Sequence, residues 1–394
     1  MEELQFKYSN SDFILRTPSW QNPSTKSKFD SVLMGRWDNA VTNGCFRYTL
    51  DDLQTKLIPG PMKYIAQLNL KRASDRRKPQ EMLSLSQPFN PNKFNFTKIN
   101  DKEILIELCP DSSIKNKDKG GTIVAKDCIT NNGCADPNTD VTEEKKEGNG
   151  ALEGAAKRQK TTNSKHVVII NVSPLEYCNI LLVPNIQDCL PQMFTQEGIQ
   201  VALEMLLLSS KRSFRVCGNS LGAFASVNHL HFHAYHLNYE LKIETVPTKL
   251  VHGPCHELLD WPARGFIFQL DEATNVQKLA RYIYTVANHL HSNEIAHNIF
   301  LTRGASLGSE ADGLQGDTQE TVRAIIWPRK SCFGAKTDEV FNVAVCELAG
   351  HLPIYSREGY ANLTEEWTIG HVNEVSLSQQ AFNTLKEDIK KLQF

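Results

Sequence analysis

No apolar run in this chain of 394 residues is long enough to span a bilayer, which argues against a membrane-spanning helix. No Cys-x-x-Cys pair occurs among the 10 cysteines, which are scattered from Cys45 to Cys346. The first fifteen residues mix acids with Lys7 and Asn10, and they lack the basic start and apolar run of a signal peptide. Reduced thiols and a cytoplasmic location are therefore expected rather than a disulfide framework. An excess of either charge is missing too, with 43 Lys and Arg against 45 Asp and Glu and a formal net charge of -2. That balance offers no electrostatic case for nucleic acid or an anionic membrane as partner. What remains is a globular composition, 40% hydrophobic and 22% charged, with enough chain to bury a sizeable core.

Composition shifts sharply across residues 111–165, which are rich in Gly, Asn and charge and almost free of aromatics. Such a stretch buries too little apolar surface to offset its ordering entropy, so a long disordered insertion is expected there. The run Lys157-Arg158-Gln159-Lys160 inside it reads as a solvated charge run before it reads as a nuclear-import signal. A second polar, Gly-rich insertion is expected from Gly304 to Thr321.

Outside these stretches, strand and helix patterns alternate. Residues 63–68 and 103–108 read as strands, and residues 166–171 with 179–184 read as a hairpin split by Ser173-Pro174. Apolar residues recur at helical spacing over 196–209 and again over 275–290, and strand patterns return at 215–237, 297–301 and 324–329. The recurrence of a helix with a strand pair ending at proline hints at two related halves. The fold class expected is α+β, an antiparallel sheet with helices, rather than a doubly wound sheet. The halves divide into 1–240 and 241–394.

The densest chemistry lies in His229-Leu230-His231-Phe232-His233. In an extended strand these three imidazoles share one face with Val227 and Tyr235, while Leu230, Phe232 and Ala234 face the core. Three uses fit that face. Imidazoles at alternate strand positions chelate zinc. An imidazole nitrogen attacks an activated phosphorus to give a phosphoramidate, with its neighbours serving the oxygens or the leaving group. The bland alternative is a half-buried strand, disfavoured because burying three imidazoles without partners is costly. Upstream, Gly218-Asn219-Ser220-Leu221-Gly222 is the kind of loop that wraps N–H groups around a phosphate, though an ordinary turn has the same composition. His166, His252, His256, His297 and His351 have irregular spacing and read as structural or surface residues, and for His297-Asn298 and for Glu347 to His351 upkeep of the second half is the expected role. Lys93-Phe94-Asn95-Phe96 offers either aromatics for a purine, with Lys98 near phosphate, or a core strand.

The His-apolar-His-apolar-His run resembles the histidine-triad superfamily of nucleotide hydrolases and transferases. Leu33-Met-Gly-Arg-Trp-Asp38, Tyr64-Ile-Ala-Gln-Leu-Asn69, Asp188-Cys-Leu-Pro-Gln192, Asn219-Ser-Leu-Gly-Ala-Phe-Ala225 and Cys346-Glu-Leu-Ala-Gly-His-Leu-Pro353 narrow the resemblance to the GDP-hexose phosphorylases, the animal GDP-D-glucose branch above all. The resemblance implies a histidine-triad-like sheet and a ping-pong reaction without metal or cofactor. His231 would attack the guanosine-bearing phosphorus of GDP-D-glucose, D-glucose 1-phosphate would leave, and inorganic phosphate would take the guanylyl group to give GDP. His229 would support the site, His233 would meet the α-phosphate or the leaving oxygen, and Asn219 and Ser220 would contact phosphates. Plant relatives carry Gln at the third triad position where this chain has His233, as the hydrolase branch does. The alternatives kept open are a GDP-sugar hydrolase releasing GMP and a metal-binding or non-enzymatic guanine-nucleotide-binding protein.

Overall fold

A computed structural model describes residues 4–16, 26–111, 165–271, 274–308, 320–333 and 340–394. Residues 112–164 of the long insertion expected at 111–165, its basic run included, and most of the second insertion lie outside the described residues.

The described residues form a mixed α+β fold around one sheet of 11 strands. After an N-terminal strand β1 (Gln5–Tyr8) and helix α1 (Lys28–Thr42), a small-sheet hairpin forms from β2 (Gln54–Leu57) and β3 (Ile65–Leu68), followed by the short helix α2 (Leu70–Asp75). The first half of the large sheet then runs β4 (Ile104–Pro110), β5 (His166–Ile170), β6 (Ile180–Val183), α3 (Gln196–Leu208), β7 (Phe214–Asn219) and β8 (Phe232–His236). The second half runs β9 (Thr248–His252), β10 (Cys255–Leu258), β11 (Phe266–Leu270), α4 (Val276–Ser292), β12 (Ala296–Ala305) and β13 (Glu320–Arg329). In space the order is β1-β4-β5-β6-β8-β7-β12-β13-β11-β10-β9. Each half thus repeats three strands, a helix and a crossed strand pair, and the two meet antiparallel at β7 and β12, where Asn219 lies opposite Asn298. Two related halves are present as expected, but the counterpart of β12 and β13 is the pair β7 and β8, not the proline-ended hairpin at 166–171 and 179–184 that suggested the echo.

Side-chain alternation builds the two faces of the sheet. Phe214 and Val216 of β7, Phe232 and Ala234 of β8, and Ile299 and Leu301 of β12 face a layer made by α1, α3 and α4. Cys217, Tyr235 and Phe300 face the other way, against a core that includes the small sheet and α5 (Val345–Leu348). Each fully buried large apolar side chain contributes about 1.5–3 kcal/mol. Side-chain oxygens start the helices: Thr195 accepts from the Gly198 N–H at 3.0 Å and Asn275 from the Lys278 N–H at 2.8 Å. The last strand, β14 (His351–Ile354), joins β3 in parallel and completes the small sheet. Helices α6 (Arg357–Asn362), α7 (Glu365–Val375) and α8 (Gln379–Ile389) finish the chain.

Three expectations need correction. The stretch read as strand from Arg215 to Leu237 is two strands with a long turn between Asn219 and Phe232, so His229 and His231 precede β8 rather than lie within it. Gly304 is not loop: β12 runs through it, and a Cβ there would collide with the Glu244 carbonyl oxygen, so the glycine serves a close backbone approach. Residues 93–96 are not a core strand but a turn leading into a 3-10 helix at Phe96–Lys98, where the Asn95 Oδ1 accepts from the Thr97 N–H at 3.0 Å.

Candidate active site

The site grows from a split in the sheet. β7 and β8 pair from Phe214 opposite His236 to Cys217 opposite His233, and their ladder then stops. Beyond it the side chain of Gln192 takes the place of the missing strand bonds. Its Oε1 accepts from the His231 N–H at 2.9 Å, and its Nε2 donates to the carbonyls of Asn219 at 2.9 Å and His231 at 3.2 Å. One buried amide thus satisfies three backbone groups of the diverging strands. Burial of Leu230, Phe232 and Ala234 against α3 holds the other side.

The histidines differ in state. The His229 Nδ1 accepts from the Phe96 N–H at 3.1 Å, which leaves its proton on Nε2. Its ring packs between Phe89 and Phe96, with centroids 5.3 and 5.4 Å away. For His231 the Nδ1 lies 2.8 Å from the His229 carbonyl oxygen. A carbonyl only accepts, so Nδ1 carries the proton and Nε2 keeps its lone pair. Burial pushes His231 down to about 4, and burial together with the neighbouring His231 does the same to His229. Both imidazoles are neutral at physiological pH. The His233 ring stands 5.1 Å from that of His231.

Two adjoining pockets meet at these residues. The first is lined by His231, His233, Phe94, Phe96, Asn171, Glu103 and three arginines, Arg72, Arg76 and Arg77. The second shares Arg72, Arg76, Ser226 and His233 and adds Asn219, Phe224, Asn342, Glu347 and Tyr355. Such neighbouring concave sites with aromatic walls and few convergent polar groups suit a ligand with two parts. Arg77 stands 3.4 Å over the Phe94 ring, and Arg72 is tied to the Ser173 carbonyl. Asn69 at the start of α2 accepts from the Arg72 N–H at 3.0 Å and donates to the Pro174 carbonyl at 3.3 Å, so α2 is seated on the β5–β6 turn. Among the described residues, no group of three or more His, Cys, Asp and Glu side chains is arranged to hold a metal ion, and no helix is long and apolar enough to cross a membrane.

Of the expected residues, His231 lines the first pocket, His233 lines both and Asn219 lines the second. His229 stands behind His231, and Ser220 borders neither pocket. Ser220 is spent on β12 instead: its N–H donates to the His297 carbonyl at 3.0 Å and its Oγ accepts from the His297 N–H at 2.9 Å. His297-Asn298, expected to maintain the second half, is thus packed on the loop after β7. Sequence reasoning passed over the arginines, although Lys71-Arg72 and Arg76-Arg77-Lys78 form a basic cluster directly after β3 in a chain otherwise balanced in charge.

The family comparison fits this architecture. The GDPGP1-like N-terminal domain matches residues 28–131 and 139–235, and the GDPGP1-like C-terminal domain matches residues 240–393. The chain belongs to the GDPGP1-like family. Within that family it is 41% identical over 389 residues to GDP-D-glucose phosphorylase 1 of Danio rerio, covering 98% of each chain. Against the Homo sapiens protein of the same name the identity is 35%, over 94% of this chain and 87% of that one. GDP-L-galactose phosphorylase 2 of Arabidopsis thaliana is 30% identical, over 90% of this chain and 74% of the plant protein. The fold is similar to that of yeast Ap4A phosphorylase Apa2 solved with Ap4A, with a TM-score of 0.53 over 90% of this chain and 99% of that one at 12% identity.

Proposed function

We propose that this chain is a nucleotidyltransferase that converts GDP-D-glucose and inorganic phosphate to D-glucose 1-phosphate and GDP through a guanylyl-histidine. The observation that carries the reading is the contact of the His231 Nδ1 with the His229 carbonyl, 2.8 Å, in a pocket that also holds three arginines. It supplies a neutral imidazole with a free Nε2 lone pair beside groups suited to phosphate oxygens.

In the first half-reaction the Nε2 of His231 attacks the α-phosphorus. A nitrogen–phosphorus bond forms and the bond from that phosphorus to the bridging oxygen breaks, releasing D-glucose 1-phosphate. An oxygen of inorganic phosphate then attacks the same phosphorus and displaces the imidazole, giving GDP. The diphosphate spans the border of the two pockets, against Arg72 and Arg76, with the Asn219 amide donating from the second pocket. Guanine lies against Phe94 and Phe96, and the hexose on the side of Asn342, Glu347 and Tyr355. His233, bordering both pockets, meets the α-phosphate or the leaving oxygen, while His229 fixes the His231 proton and Ser220 holds the loop. The catalytic half is residues 1–240, and residues 241–394 form the C-terminal half.

Incubation with GDP-D-glucose and no phosphate tests this directly. Intact-mass analysis should find one added GMP on His231, and His231→Ala should abolish both the adduct and turnover. Normal turnover by that variant sinks the mechanism. One observation favours a second reading: His233 at the shared border stands where it can serve a water as well as a phosphate. Release of GMP instead of GDP in the presence of phosphate would establish the hydrolase.

A further inference from the structure

The structure assigns Asn298 as a positioning residue: together with the Val345 N–H it fixes which end of the Asn219 side-chain amide faces the second pocket. The inference rests on the reading that Asn219 serves the substrate phosphates. Asn219 ends β7, and Asn298 lies opposite it on β12, so the pair straddles the seam between the two halves of the sheet. The Asn298 Nδ2 donates to the Asn219 Oδ1 at 2.6 Å and to the Ala223 carbonyl at 3.0 Å. The Val345 N–H donates to the same Asn219 Oδ1 at 3.1 Å.

An amide has two nearly isosteric ends, and its orientation follows from partners with only one possible role. Here there are two such partners. The Ala223 carbonyl only accepts, so the Asn298 atom facing it is nitrogen. The Val345 N–H only donates, so the Asn219 atom facing it is oxygen. The two conditions agree, because the Asn298 nitrogen and the Asn219 oxygen then meet as donor and acceptor. Both lone pairs of the Asn219 Oδ1 are occupied, and the N–H groups of its Nδ2 are what remains for the pocket. The Asn298 Oδ1 is itself buried without a hydrogen-bond partner. That is an unfavourable arrangement for an asparagine kept only for packing, and it fits one kept for what its nitrogen does.

Removing Asn298 leaves the Asn219 oxygen with one fixed donor instead of two, so the orientation that presents its N–H groups to the phosphates is held less firmly. The loss expected is that of a hydrogen bond to a charged group, roughly tenfold to a hundredfold in rate.

The test is a double-mutant cycle on the single-turnover rate of His231 guanylylation by GDP-D-glucose, using wild type, Asn219→Ala, Asn298→Leu and the double variant. Thermal unfolding is followed on all four. Each single variant should be at least tenfold slow while still folded at the assay temperature. The double variant should be no slower than Asn219→Ala, because the amide through which Asn298 acts is gone. A wild-type rate for Asn298→Leu, or penalties that multiply in the double variant, overturns the assignment. A normal rate for Asn219→Ala instead overturns the phosphate role of Asn219, and the route through it as well. Should the leucine fail to fold, Asn298→Ser, which is smaller and cannot reach both acceptors, takes its place in the same cycle, and the same rates decide.

Discussion

The Nδ1 of His231 lies 2.8 Å from the carbonyl oxygen of His229, so the backbone of the first triad histidine sets the tautomer of the second. A ring free to exchange tautomers would present its Nε2 lone pair only part of the time.

Guanylylation should tolerate mild acid. An ordinary imidazole loses its lone pair to a proton near pH 6.5, but burial holds His231 at about 4. The single-turnover guanylylation rate should stay level as the pH falls from 7.5 through 6.5 to about 5.5, until the fold itself begins to fail. Stopped-assay rates over that range measure it. A midpoint at 6.5 would show that His231 is not held neutral by its surroundings.

Stability should move with pH in the opposite region of that curve. Burial lowers His229, His231, His236 and His297 to about 4 and His351 to about 3. The unfolded chain, with imidazoles near 6.5, binds more protons than the folded one between those values and 6.5. The stabilisation is therefore complete above pH 6.5 and is lost as the pH falls below it. Each group contributes up to about 1.4 kcal/mol per pH unit inside the window. The Tm should drop steeply from pH 6.5 to 4.5, and a flat Tm there would contradict these buried neutral imidazoles.

Gln192→Met keeps the volume of the wedge between β7 and β8 and removes its three hydrogen bonds. The His231 N–H and the carbonyls of His231 and Asn219 are then left to find other partners, at about 1–3 kcal/mol for each that stays buried and unsatisfied. Urea unfolding should register a loss of about 3 kcal/mol, and guanylylation should slow more than tenfold. Gln192→Glu, whose second oxygen would face the Asn219 and His231 carbonyls, should do at least as much damage. Equal stability of wild type and the methionine variant would mean that the strands close without the amide.

Glu244→Ala tests the second half. Arg215 and Glu244 form a fully buried ion pair with a nitrogen–oxygen distance of 2.8 Å, and the Thr302 hydroxyl donates to the same carboxylate oxygen at 2.7 Å. Removing the acid strands a buried guanidinium, which costs about 3–5 kcal/mol. Arg215→Met with Glu244→Leu should recover most of that loss in chemical denaturation. A double variant no better than Glu244→Ala would place the cost in packing.

Local patterns carried much of the architecture. The hairpin of β5 and β6, the amphipathic helices α3 and α4, and the division of the triad into a polar and a core-facing side all follow from the spacing of apolar residues. The site was legible only where its residues are neighbours in sequence, as His229, His231 and His233 are. Arg72 reaches the histidines across more than 150 positions because Asn69 and the Ser173 carbonyl seat α2, a tertiary fact with no local period. The same holds for Gln192, whose amide substitutes for a strand, and for Asn298, whose partner stands on the facing edge of the other half. Periodicity also overextended the histidine strand, because alternation persists through residues 227–231 although Gln192 interrupts the ladder there.

The parallel pairing of β3 with β14 has a consequence for the life of the molecule. β3 leads straight into α2 and its arginine, while β14 begins only at His351. The small sheet that β3 begins with β2 is therefore completed only by a segment that leaves the ribosome nearly 300 residues later, although α2 is seated earlier by the β5–β6 turn. The second pocket takes Asn342, Glu347 and Tyr355 from the same late stretch, so it should close only near the end of synthesis.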